Sequence, residues 1–194
     1  MTLASSVFRT TSLALVVIAA QIQAETATSE TLFDYAVAND SPAWQVINDD
    51  VMGGISTSRF EVSPDGYAVF SGDLSLENNG GFASVRSLPI KEDLRGTTAF
   101  ILRVRGDGRP YNFMVRTGDG LRSPLWQSSF PTKKDEWEEH RVTISDFEPT
   151  FHGRVLDDVA PLTPTEIRSL GLLIADKKSG PFQLEISWIK AVQD

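Results

Sequence analysis

Residues 98–105 read TAFILRVR and residues 182–188 read FQLEISW. In the first, Phe100, Leu102 and Val104 alternate with Ile101, Arg103 and Arg105. In the second, Phe182, Leu184, Ile186 and Trp188 alternate with Gln183, Glu185 and Ser187. A period of two sends successive side chains to opposite faces of an extended chain, one facing a core and the other water. Outward from these stretches the pattern recurs at 67–76 (YAVFSGDLSL) and at 111–117 (YNFMVRT), where Tyr111, Phe113 and Val115 share a face. Turn formers stand between the runs: Pro64-Asp65-Gly66, Asn79-Gly80-Gly81, Gly106-Asp107-Gly108, Gly118-Asp119-Gly120 and Ser179-Gly180-Pro181. Many short strands with such punctuation predict an all-β sandwich or barrel. One segment departs from this: Thr163-Pro164-Thr165-Glu166 supplies an N-cap hydroxyl, a first-turn proline and a glutamate that can reach back, predicting one or two short helices. Trp44 and Trp188 are assigned to the core.

The 194 residues fit one domain. Met1–Ser12 carries Arg9 and no acid, Leu13–Ala20 is an apolar run, and Ala24 closes a small-residue cleavage site before Glu25. That order predicts a secretory signal peptide cut after Ala24, and with it a periplasmic or secreted product. The run is far shorter than the ~20 residues of a membrane-spanning helix, which disfavours an uncleaved anchor and direct membrane insertion. A single arginine also disfavours a mitochondrial transit peptide. The expected organisation is a signal peptide over 1–24, a flexible leader over 25–31 (ETATSET) and one sandwich domain over 32–194.

The net charge is −8, from 18 basic and 26 acidic residues, and loss of Arg9 makes it more negative. An acidic surface repels phosphate backbones and gives no polybasic grip on lipid, so nucleic acid is excluded as a general partner. Arg103, Arg105 and Arg109 are left as local basic spots. The chain has no cysteine, which removes disulfides, thiol catalysis and Cys-ligated zinc. Its core alone must then hold it, and a domain of this size buries roughly 70% of its unfolded surface.

Catalytic signatures are sparse. His140 and His152 are the only histidines, and neither belongs to a metal-binding pair. His140, in Glu138-Glu139-His140-Arg141, reads as a solvated strand-edge residue. There is no Gly-x-Ser-x-Gly elbow, and Gly106-Asp107-Gly108 lacks the glycine and helix of a nucleotide loop. No EF-hand spacing supports calcium. A carboxylate pair drawn from Asp49, Asp50, Glu77 and Asp107 would suit a glycosidase or lyase, but 26 acids guarantee such candidates, and capping and solvation explain each.

Two segments are denser. Trp44–Ser56 reads WQVINDDVMGGIS, and Glu77–Arg86 reads ENNGGFASVR. Each sets Asn or Asp beside paired glycines, which tolerate backbone angles closed to other residues. With Phe70-Ser-Gly-x-Leu, Arg105-Gly-Asp-Gly-Arg-x-Tyr111, Phe151-His-Gly-Arg154 and Gly171-Leu-Leu-Ile…Lys177-Lys-Ser-Gly-Pro-Phe182, this pattern resembles the complex I intermediate-associated protein 30 family over about Phe33 to Val192. The resemblance implies a galactose-binding-like jelly-roll β-sandwich and a chaperone-like assembly role in place of catalysis. It carries over no catalytic residue and no cofactor. The expected export signal in place of a mitochondrial one, and the expected lack of the nucleotide-binding domain fused to some relatives, would set this chain apart from those members.

The candidate binding residues are Asn48, Asp49, Met52, Asn78, Asn79, Arg86, Arg105, Asp107, Arg109, Tyr111, Trp126 and Phe130. If the motif loops meet at one rim, the asparagines offer paired donors and acceptors, Asp49 and Asp107 acceptors, and the arginines forked donors. Tyr111, Trp126 and Phe130 would add flat apolar surface. Arg86 also suits a structural ion pair with Asp49 or Asp107. Three functions follow: a protein-binding assembly factor with a partner in the cell envelope, such as a respiratory-complex subunit; a carbohydrate-binding module; and, last, a glycosidase or lyase.

Overall fold

The computed structural model describes residues 28–37, 44–118 and 123–193. The signal peptide assigned to 1–24 and the start of the leader lie outside these residues. Thirteen strands run in chain order: β1 (Thr28–Asp34), β2 (Trp44–Asn48), β3 (Thr57–Ser63), β4 (Tyr67–Leu74), β5 (Ala83–Ser87), β6 (Ala99–Gly106), β7 (Tyr111–Arg116), β8 (Leu125–Phe130), β9 (Trp137–Thr143), β10 (Glu148–Phe151), β11 (Arg154–Val155), β12 (Ser169–Ile174) and β13 (Gly180–Gln193). They form two antiparallel sheets. One has six strands in the order β3-β4-β13-β6-β9, with β1 also paired to β13; the other has seven, ordered β11-β10-β8-β7-β12-β5-β2. This is the expected jelly-roll sandwich.

The alternation reads as expected in most strands. Phe100, Leu102 and Val104 are fully buried, as are Tyr111 and Phe113, and Phe182, Leu184 and Ile186 join the same core. A bulge changes the end of β13. Ile186 pairs with Val104 and Trp188 with Arg103, leaving Ser187 as the extra residue. The parity flips there, so Ile189 enters the core and Trp188 turns outward, half-buried beneath the Lys190 ammonium at 4.3 Å. Trp188 is therefore not the core residue that unbroken alternation predicts. Trp44 does pack at the core's edge, stacked on Phe60 at 4.9 Å.

Two further expectations change. Thr28–Thr31 is not leader but the start of β1, paired from Thr28↔Gln193. The residues after Thr163 make only a single 3-10 turn, Pro164–Glu166, without the side-chain cap; the described residues contain 3-10 turns and no α-helix.

The pairings also order the loops. Asn48 lies opposite Ala83, Ala83 opposite Ile174, Leu173 opposite Asn112, and Tyr111 opposite Phe130. In the other sheet Thr57 lies opposite Asp73, Leu74 opposite Gly180, and Leu184 opposite Gly106. The β2–β3, β4–β5, β6–β7, β8–β9 and β12–β13 connections thus all leave the sandwich at one rim.

Candidate functional site

Asp49 ties two of these rim loops together. It has no exposed surface. Its carboxylate accepts from Ser56 N–H at 2.9 Å, Ser56 Oγ–H at 2.5 Å, Gly81 N–H at 2.7 Å and Phe82 N–H at 3.3 Å. Burial pushes its pKa up, yet these bonds outweigh burial and hold it below the ordinary carboxylate range. The paired glycines of both motifs answer to this carboxylate. A Cβ on Gly54 would stand 2.4 Å from Asp49 Cγ, and one on Gly80 would stand 2.7 Å from Oδ2. Asn48 is buried beside it, accepting from Ser58 Oγ–H at 2.7 Å. Asn78 and Asn79 take left-handed angles (φ 53° and 61°), with both side chains exposed.

Around this knot the loops turn apolar side chains to solvent: Val51, Met52 and Ile55 from β2–β3, and Leu76 from β4–β5, with Met52 52% exposed and Val51 69%. Of these only Met52 was picked out from sequence. The signal for the rest was available, since Val51, Ile55 and Leu76 lie within or beside the two dense motifs.

A second knot stands further along the rim. The Arg109 guanidinium grips Asp176 through Nε–H at 2.9 Å and Nη2–H at 2.6 Å. It also donates to the carbonyls of Gly180 at 3.2 Å, Pro181 at 2.9 Å and Lys178. Hydrogen bonding to Asp176 raises the Arg109 pKa. Burial raises and Arg109 lowers that of Asp176, with a net fall. Asp107 accepts from Arg109 N–H at 3.0 Å, Tyr111 Oη–H at 3.1 Å and Gln183 N–H at 2.9 Å. Arg105 pairs with the buried Glu185, its guanidinium 5.0 Å from the Trp137 ring and 5.6 Å from that of Tyr67.

The rim therefore collects most of the sequence-predicted residues, but many are occupied in holding it. Tyr111, Trp126 and Phe130 are not flat surface for a ligand: all three are core residues, and Phe130 meets Tyr111 at 6.3 Å. They sit at inward positions of β7 and β8. Arg86 lies away from the rim knots, on the outer face of the seven-stranded sheet opposite Gly171 and Gln45. Asp49 and Asp107 draw their bonds from other residues. His140 is not solvated either; its ring packs 5.0 Å from Phe130, and burial lowers its pKa. His152 stands on the β10–β11 turn of the other sheet.

A shallow cleft of about 220 Å³ opens beside Arg105, Asp107, Asp135 and Glu185. It is smaller than the roughly 300–1,000 Å³ usual for small-molecule sites, and its lining includes both cationic and anionic side chains. Among the described residues no three His, Cys, Asp or Glu side chains stand together as a metal cluster.

The family model described as Complex I intermediate-associated protein 30 matches residues 33–186. Relatives include the probable complex I intermediate-associated protein 30, mitochondrial, of Caenorhabditis elegans, 28% identical over 78% of this chain and 50% of that protein. The complex I intermediate-associated protein 30, mitochondrial, of Mus musculus is 27% identical over 86% of this chain and 57% of that protein. The chain thus spans about half the length of these relatives. Among solved structures, the family 11 carbohydrate-binding module of a Clostridium thermocellum cellulosomal cellulase superposes with a TM-score of 0.64. It is 14% identical and covers 86% of this chain and 95% of that one. A family 30 carbohydrate-binding module gives 0.53 at 13% identity, covering 86% and 99%. At such identities the likeness is one of fold.

Proposed function

The chain belongs to the complex I intermediate-associated protein 30 family, and on that premise we propose that it is a non-enzymatic, protein-binding assembly factor. The observation that carries the reading is the Asp49 knot, which spends a buried carboxylate on fixing two loops that expose Val51, Met52, Ile55 and Leu76 beside the polar Asp50, Glu77, Asn78 and Asn79. Preorganised apolar side chains on a polar rim suit a protein partner, because little ordering entropy opposes docking. With export after Ala24, the partner is an envelope protein, such as a respiratory-complex subunit reached from outside the cytoplasm. N-terminal sequencing of the mature protein tests the export, and a Met1 or mitochondrially processed terminus would overturn it.

The carbohydrate-binding reading has one observation in its favour. Tyr67, Trp137 and Trp188 lie half-buried on the outer face of the six-stranded sheet, where rings could stack on sugars. Arg103, Arg105 and Lys190 already cover those rings, which ranks it second. The experiment is affinity capture from membranes with wild type and Met52→Glu. A defined partner enriched by wild type and reduced by more than about tenfold in the variant is expected. Equal recovery with both proteins, or saturable tryptophan quenching by a polysaccharide, would overturn the assignment.

A further inference from the structure

β3 ends the six-stranded sheet: it pairs with β4, and among the described residues no strand pairs with its other edge. Antiparallel strands bond at alternate residues, so half of the N–H and C=O groups of β3 face away from β4. Such an edge is a template for another strand unless something blunts it. The other edges are blunted. β2 and β11 are five and two residues long, and β1 is broken by its bulge. β9 points the Glu138 carboxylate inward, where it accepts from Lys133 N–H at 2.7 Å. β3 shares none of these features: its sequence TSRFEVS keeps an unbroken register from Thr57↔Asp73 to Ser63↔Tyr67, without lysine, proline or glycine. Its two charged residues, Arg59 and Glu61, are opposite in sign. Ser58, Phe60 and Val62 take the inward positions, yet the core does not close over them. Phe60 is only half-buried although it stacks on Trp44, and Val62 is 43% exposed.

We propose that a second copy of this chain adds its own β3 to this edge, antiparallel and centred on Phe60, in a two-fold dimer. The strand is complementary to itself in that register. On the outer face Arg59 stands opposite Glu61 of the second copy and Glu61 opposite its Arg59, while Thr57 stands opposite Ser63. On the inner face Phe60 stands opposite Phe60, and Ser58 opposite Val62. Opposite charges, paired hydroxyls and paired aromatic rings are the cross-strand neighbours that stabilise sheets. Arg59 and Glu61 already touch within one chain at 3.1 Å, largely exposed, and such a pair is worth little alone. The dimer keeps that contact and closes four charges into a ring of alternating sign. Other registers are penalised. A shift of two sets Arg59 against Arg59 or Glu61 against Glu61. A shift of one sets the inner face of one copy against the outer face of the other. The product is one sheet continuous through both copies, with Val62 covered. Because the two strands are antiparallel, the rim end of one β3 meets the Pro64–Gly66 hairpin end of the other. The two motif rims therefore face opposite ways and both stay free, so the dimer neither rests on the rim reading nor competes with it.

Sedimentation equilibrium of the purified protein tests the dimer, and wild type should show a reversible monomer–dimer equilibrium. Arg59→Glu sets glutamate against Glu61 of the second copy, and Glu61→Arg sets arginine against its Arg59. Each change alone should weaken self-association by about tenfold or more. Mixed together, the two variants carry complementary strands and should associate with each other as wild type does. The double variant Arg59→Glu/Glu61→Arg should dimerise again. Thermal unfolding by circular dichroism checks that each variant is folded. Hydrogen exchange on wild type needs no variant: amides of residues 57–63 should gain protection as protein concentration rises, while those of β9 stay unchanged. A protein that is monomeric up to millimolar concentration would overturn the proposal. So would dimers indifferent to both charge reversals, or a mixture of the two folded variants that fails to associate. Protection of β3 that appears only on adding a membrane extract, without self-association, would give the edge to a different protein and overturn it as well.

Discussion

A carboxylate without exposed surface is tolerated only where hydrogen bonds replace its lost water, and Asp49 receives four of them. Asp49→Asn keeps the shape but points an amide donor at backbone N–H groups. Urea denaturation should show a loss of about 2–4 kcal/mol. Gly80→Ala, whose Cβ would press on Oδ2 and on the Ser75 carbonyl, should cost about 1–3 kcal/mol in the same assay. The neighbouring Asp50 is exposed, and nothing in Asn48-Asp49-Asp50 tells the two aspartates apart. The motif was legible as a place where backbone and carboxylate meet closely, because paired glycines announce it. Which acid is buried was not, because that depends on Gly81 and Phe82 arriving from another loop. Tyr111 and Phe130 were misread for the opposite reason: a ring beside polar motif residues resembles a platform, while its strand parity, also present in the sequence, points it inward.

At the scale of the element, alternation failed at inserted residues, Leu32 in β1 and Ser187 in β13. Ser187 shifts the register of β13, and no residue type in Ile186-Ser187-Trp188 marks the shift. β1 was hidden because its first four residues are exposed on both faces, so it carries no period of two. The start at Thr163 had the right cap residues but no apolar stripe behind it, and the chain returns to strand at Ser169. The β12–β13 connection is held by Arg109 through a carboxylate and three carbonyls. Arg109→Gln should therefore loosen residues 176–181 well before the sheets. Hydrogen exchange of their amides should speed up by at least about tenfold while β6 and β13 core amides keep their protection.

For the whole molecule, the shifted groups that are also screened from water, His140, Asp49 and Asp176, dominate the response to acid. His140 has a lowered pKa, so the unfolded chain binds its proton more readily and stability falls as pH drops below about 6.5. Asp49 and Asp176 have lowered pKa values, so their contributions are present above about 3.9 and disappear as pH falls through the folded values. Melting temperature against pH should thus decline in two steps. His140→Gln should remove the upper step and Asp49→Asn should flatten the lower. Sandwich class and strand faces were legible in the sequence because burial on one side is a local rule; the rim was not, since it depends on strand order. That order has a mechanical corollary. Thr28 pairs with Gln193, so the two ends of the described chain leave side by side, opposite the motif loops. A short glycine linker could join them, with new ends opened at the Pro64–Gly66 hairpin on that same side. Such a circular permutant should keep its fold, and a cargo domain tethered at either seam would hang clear of whatever the rim grips.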